Sequence, residues 1–177
     1  PYDAKGLLAS AIRTDDPVIV LEHKRTYRLV KGEVPAGDYT VPIGKAEIKR
    51  PGSDMTVVTY GLMLHYALQA AEVASGHGID VEVVDLRTLR PLDADAIAES
   101  VSRTGKALIV QEDTPAVSIS SEVAAIVGER CFFDLDGPIT RVTPPEIPPM
   151  PFSPIQEAAF MPSPEKILAA ITKLAEL

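Results

Sequence analysis

Three apolar runs of strand length stand in order along the chain, residues 56–60 (TVVTY), 81–85 (VEVVD) and 107–111 (ALIVQ). Each is followed by a stretch of helical period, over 62–75, 93–103 and 118–130. None of the runs shows the sustained apolar–polar alternation of a strand with one wet face. Strands of this kind bury both faces, which requires helices on either side of a parallel sheet. The order therefore predicts a three-layer α/β/α domain. Asp93 stands where an N-cap is needed, and Ser163-Pro164-Glu165 opens a last helix with a cap and a first-turn proline. That helix carries Ile167, Leu168, Ile171 and Leu174 on one face and is expected to pack back on the sheet.

The flanks follow different rules. The opening segment reads as a short amphipathic helix with Leu7, Leu8, Ala11 and Ile12 on one side, a turn at Asp15-Asp16-Pro17, and a strand over 18–21. A lone helix and strand cannot bury their own apolar faces, so residues 1–29 are expected to be the tail of an upstream domain. Residues 30–45 carry Gly32, Pro35, Gly37, Pro42 and Gly44 without periodicity and read as a crossing linker. The domain proper is expected over 46–177, with a short first strand in KAEIKR before Pro51-Gly52. Nine of the 16 prolines fall at 138, 144, 145, 148, 149, 151, 154, 162 and 164. Apart from a strand over 139–142, that density predicts an extended path across a surface, because proline removes a donor and blocks helices.

Charge and composition narrow the function. With 17 Lys and Arg against 25 Asp and Glu, the formal net charge of -8 argues against a general nucleic-acid binder and favours basic partner surfaces. No run approaches the roughly 18 apolar residues of a membrane helix. Cys131 is the single cysteine and His23, His65 and His77 are the only histidines, which gives no zinc-like spacing.

Four places invite chemistry. Gly61 and His65 sit at a strand-to-helix turn, but Gly61 lacks the companion glycines of a dinucleotide-binding turn, and His65 shares a polar stripe with Gln69 and Glu72. A solvent-facing or interfacial histidine is favoured over a catalytic one. Asp85, Glu112 and Asp113 close strands and could hold Mg²⁺ as in a receiver-like site, although ion pairing and loop capping are the favoured duties. His23, Lys24, Arg25 and Arg28 in LEHKRTYR would clamp an anion or form a charged junction between domains, and the junction is favoured. Cys131 opens the apolar run CFF and reads as core.

Several longer stretches carry a resemblance. EHKRTYRLVKGEVPAGDYTVPIGKAEIKRPGSDMTVVTYG, VEVVDLRTLRPLDADAI, TGKALIVQED and FFDLDGPITRVTPPEIPPMPFSP together resemble the C-terminal half of the β subunit (E1β) of thiamine-dependent 2-oxo acid dehydrogenases. DLRTLRPLD is the most specific of these, and HYALQAAE, FDLDGPI and PPMPFSP favour the branched-chain type over the pyruvate type. The loop TPAVSISSE lacks a glycine that many relatives carry, and Thr143-Pro144-Pro145-Glu146 replaces a common G-P-D.

The resemblance implies a transketolase C-terminal domain, a mostly parallel five-stranded sheet whose first strand is antiparallel. It implies an α2β2 enzyme with an E1α subunit and a second E1β, and an E2 acyltransferase whose small basic domain docks on β. Thiamine diphosphate and Mg²⁺ would belong to the assembled enzyme, with no catalytic, cofactor or metal residue in this segment. By position, Asp136 and the carboxylate of Leu177 would be the docking residues. A bacterial relative would be cytoplasmic, and a eukaryotic one would lie in the mitochondrial matrix. A stand-alone assembly or ligand-binding module of the same fold is the rival from another class.

Overall fold

The computed structural model describes residues 1–148 and 150–177, and Pro149 of the proline-rich stretch lies outside the described residues. Among these, five strands form one sheet: β1 (Glu47–Arg50), β2 (Met55–Thr59), β3 (Val81–Asp85), β4 (Ala107–Val110) and β5 (Thr140–Val142). Their order is β1-β3-β2-β4-β5. β2 is parallel to β3 and to β4, β5 is parallel to β4, and β1 alone is antiparallel, paired with β3. The mostly parallel sheet with one antiparallel strand is therefore present.

The helices are α1 (Tyr2–Arg13), α2 (Thr26–Leu29), α3 (Leu62–Gly76), α4 (Ala94–Thr104), α5 (Ile119–Arg130), α6 (Pro154–Phe160) and α7 (Pro164–Ala175). Side chains alternate across each strand, so one sheet has two apolar faces. Met55, Val57, Val81, Val83, Leu108 and Val110 pack with α3 and α7. Val58, Ala107 and Ile109 pack with α4 and α5 on the other face. The α7 stripe behaves as its spacing requires, with Ile167, Ile171 and Leu174 fully buried. Each such side chain contributes about 1.5–3 kcal/mol. Both predicted caps form: Asp93 Oδ1 accepts from the Ala96 N–H at 3.3 Å, and Ser163 Oγ accepts from the Lys166 N–H at 3.3 Å.

One residue breaks the apolar rule inside β3. Glu82 is 1% exposed on the α4 side, where Arg103 pairs with its carboxylate. Thr56 Oγ1 donates to Glu82 Oε1 at 3.3 Å and shares a 2.8 Å hydrogen bond with Thr104 Oγ1. The polar set is satisfied internally, as burial demands.

Two expectations require correction. Residues 18–21 form no strand, and Ile19 and Leu21 are 87% and 82% exposed. β-branched side chains favour extended backbone, yet a strand exists only where a neighbour completes its ladder. The proline-rich stretch is not wholly extended: α6 forms where Ser153-Pro154 supplies an N-cap position and a first-turn proline, and residues 155–161 contain no proline. Cys131 is core as expected, while Phe132 and Phe133 beside it are both exposed.

The opening helix does not float free. Tyr2 stacks on Tyr39 with ring centroids 4.6 Å apart, and the Val41 N–H donates to the Gly6 carbonyl at 3.1 Å. Asp3 pairs with Arg87 and Lys49, each at 2.7 Å, which fastens α1 to the β1–β3 edge through the domain's own charges.

Candidate functional site

From β2 the sheet grows in both directions, with β3 on one side and β4 on the other. Open α/β sheets place their crevice at such a switch point, outside the carboxyl ends of the strands. Here that edge is formed by Tyr60-Gly61 after β2 and by Gln111-Glu112-Asp113 after β4. Gly61 has φ +62° and ψ -135°, a conformation that is essentially glycine's alone, and it turns the chain directly into α3.

His65 lies one turn into α3 and is half-buried, while Gln69 and Glu72 on the same stripe are exposed. It lines a cavity of about 450 Å³ together with Arg25, Lys31, Leu62, Tyr66 and Gln69. Burial is the main reason its imidazole titrates below the ordinary value, aided by the positive charge of Lys49. The polar stripe is as the sequence predicts, and the interface it meets is the segment that carries Arg25 and Lys31.

The LEHKRTYR segment acts as a charged junction. His23 Nε2 lies 2.9 Å from Glu112 Oε2, and Arg25 reaches Glu157 at 3.4 Å. Tyr27 Oη donates to Glu22 at 2.5 Å. The segment is thereby pinned across the crevice, with His23 seated on the acid that ends β4.

The strand-end acids do not converge. β2 separates β3 from β4, so Asp85 belongs to a different part of the edge from Glu112 and Asp113. Asp85 Oδ1 accepts from the Arg87 N–H at 3.1 Å, and Asp113 Oδ1 accepts from the Thr114 N–H at 2.8 Å. Burial raises the Asp85 pKa, against the lowering effect of that backbone hydrogen bond. Among the described residues no group of three or more His, Cys, Asp or Glu is placed to hold a metal ion. The receiver-like arrangement is not assembled.

Asp136 and Leu177 lie at the opposite, amino edge of the sheet. The Asp136 N–H donates to the Gly105 carbonyl at 2.7 Å, just ahead of β4, and its side chain is exposed. The adjoining Gly137 packs beside Leu174 at the end of α7, and Leu177 beyond it is 66% exposed. The two predicted docking residues therefore share one edge. Sequence reasoning missed their neighbours Phe132 and Phe133, whose rings meet edge to face with centroids 5.2 Å apart. An apolar pair beside a buried cysteine carries no signal of exposure. It likewise missed the meeting of Arg25 and Lys31 with His65, for which no spacing exists.

The transketolase C-terminal domain family matches residues 44–167. The chain is 60% identical over 176 residues to the β subunit of 2-oxoisovalerate dehydrogenase of Bacillus subtilis (strain 168), covering 99% of this chain and 54% of that one. It is 49% identical to the β subunit of acetoin:2,6-dichlorophenolindophenol oxidoreductase of Cupriavidus necator, covering 98% and 51% respectively. The pyruvate dehydrogenase E1 component β subunit of Bacillus subtilis is 45% identical, covering 99% and 54%. Among solved structures, a split-gene transketolase in an inactive β4 tetramer superposes with a TM-score of 0.67 at 26% identity, over 82% of this chain and 47% of the other. The chain spans about half the length of the curated relatives it matches.

Proposed function

This chain belongs to the transketolase C-terminal domain family, and on that premise we propose that it is the C-terminal portion of the β subunit of a branched-chain 2-oxo acid dehydrogenase. The observation that carries the reading is the gap in identity: 60% to a 2-oxoisovalerate dehydrogenase β subunit against 49% and 45% to acetoin and pyruvate counterparts over nearly the same residues. The assembled enzyme decarboxylates a 2-oxo acid and passes the acyl group to the lipoyl group of E2. The proposed setting is the cytoplasm of a bacterium.

Thiamine diphosphate and Mg²⁺ supply the hard chemistry of that reaction when bound. The residues of this chain do not fit either one. Gly61 is a single glycine rather than a phosphate cradle, Glu112 is engaged by His23, and Asp85 and Asp113 each bind backbone N–H groups of their own loops. No step of the reaction is therefore assigned to these side chains, and their work is assembly.

Two surfaces support that role. The amino edge presents Asp134 and Asp136, with Leu177 exposed on the same edge, on a chain of net charge -8, which complements a small basic E2 domain. The split-gene transketolase that shares the fold is a β4 tetramer, which supports pairing with a second β chain.

Calorimetry with an isolated E2 subunit-binding domain tests docking: Asp136→Ala and a C-terminal extension are each expected to weaken binding about tenfold, or 1.4 kcal/mol. Unchanged affinity in both refutes the docking role. Native mass spectrometry with a branched-chain E1α subunit tests assembly, and a chain that associates only with itself would instead be a stand-alone module.

A further inference from the structure

We infer that the cavity between the first turns of α3 and the segment 25–31 is a binding site for a phosphate-type oxyanion, held by Arg25, Lys31 and His65. This inference is independent of the assembly and docking roles, and the cavity lies at the opposite edge of the sheet from Asp136 and Leu177.

The cavity's charge is uneven for this protein. Acidic residues outnumber basic ones 25 to 17 over the chain, yet no Asp or Glu is among the described residues that line this cavity. Its polar side chains are two permanent cations, Arg25 and Lys31, with an imidazole, the Tyr66 hydroxyl and the Gln69 amide, each able to donate. A planar guanidinium and a mobile ammonium around one recess suit an oxyanion, which accepts charge-assisted hydrogen bonds from both. Arg25 touches Glu157 through one nitrogen at 3.4 Å, which leaves its remaining N–H groups to turn inward. A volume of about 450 Å³ falls within the ordinary range of small-molecule sites. Leu29, Val30 and Leu62 supply an apolar wall, so the recess has room for a small organic body behind the anion.

The surroundings of His65 agree. Its imidazole is half-buried beside the two cationic side chains, and no carboxylate lines the recess with it. Arg25 and Lys31 are far from His65 in sequence and share the recess with it where Gly61 turns the chain into α3.

The chain, isotopically labelled, is titrated with inorganic phosphate, with AMP and with adenosine while the ring protons of His65 and His77 are followed by NMR. Phosphate and AMP are expected to move the His65 signal saturably and to leave His77, exposed at the far end of α3, unmoved. Arg25→Gln and Lys31→Gln are each expected to weaken binding about tenfold, and both residues are exposed, so the fold is retained. Tighter binding of AMP than of phosphate assigns the site to a phosphate group on an organic body, whereas equal affinity assigns it to the free ion. The inference is overturned if His65 shows no saturable shift up to about 10 mM ligand, if the two variants bind like the parent, or if adenosine binds as well as AMP.

Discussion

Removing Arg103 should damage this fold more than removing the buried carboxylate it serves. Glu82 is 1% exposed in the middle of β3, whereas the Arg103 side chain is half-exposed and also donates to the Gly52 carbonyl at 3.0 Å. In Arg103→Ala the carboxylate keeps a single hydroxyl donor, Thr56 at 3.3 Å, inside an otherwise apolar layer. Breaking a buried pair from this side costs roughly 3 kcal/mol. In Glu82→Leu the arginine stays solvated, Thr56 retains Thr104, and the strand gains an apolar side chain, so the cost is about 1 kcal/mol or less. The double variant should resemble Glu82→Leu alone, which gives a coupling of roughly 3 kcal/mol between the sites. Urea unfolding followed by far-UV circular dichroism measures all three, a suitable probe for a chain without tryptophan. For a chain of this length, Arg103→Ala should lower Tm by roughly 6–12 °C. If Glu82→Leu proves as costly as Arg103→Ala, the pair is a net source of stability and the desolvation reasoning is wrong.

Other positions test the site and its edges. Gly61→Ala adds a methyl group with nothing within 4 Å, so any loss is backbone strain alone, of order 1–3 kcal/mol in chemical denaturation; a neutral result would refute the turn's demand for glycine. Val117 is fully exposed at φ +49°, a costly conformation for a β-branched residue, and Val117→Gly should raise stability by roughly 0.5–1 kcal/mol without loss of packing. The folded-state pKa of Asp85 lies above its ordinary 3.8, so the stability tied to its protonated form is present below that value and is lost as pH rises through the folded pKa. Asp85→Asn should accordingly be more stable than the parent at neutral pH, with the gap closing toward pH 3.8 in thermal melts, and a constant gap would contradict the shift.

The sheet and its flanking helices were legible because their causes are local. Three apolar runs, a capping aspartate at 93 and a Ser-Pro start at 163 each dictate backbone conformation within a few residues. The resemblance carried by DLRTLRPLD and its neighbours is matched by relatives at 45–60% identity. What sequence reasoning missed depends on partners distant in the chain. The apolar residues 18–21 look like a strand whether or not a neighbour exists to pair with them. Phe132 and Phe133 follow a core cysteine but are exposed in the short 3₁₀ turn Phe132–Asp134 after α5. Helix α6 was hidden by the prolines around it, although Ser153-Pro154 repeats the signal that was recognised ten residues later. The meeting of His23 with Glu112 joins residues 89 positions apart, and no periodicity records such a distance.

The placement of α7 also sets a schedule for folding. α3 occupies one apolar face of the sheet early in the chain, but the helix that completes that face begins only at Pro164, after β5 and the proline-rich stretch. At translation rates of roughly 5–20 residues per second, the neighbours of Met63, Ala67 and Val110 on that face wait several seconds for Ile167 and Ile171 to emerge. During that interval a paired sheet with one open hydrophobic side is available to any other chain. Chaperone demand should therefore concentrate in the interval before α7 emerges, and a ribosome stalled before residue 164 would expose an aggregation-prone surface rather than a harmlessly shortened domain.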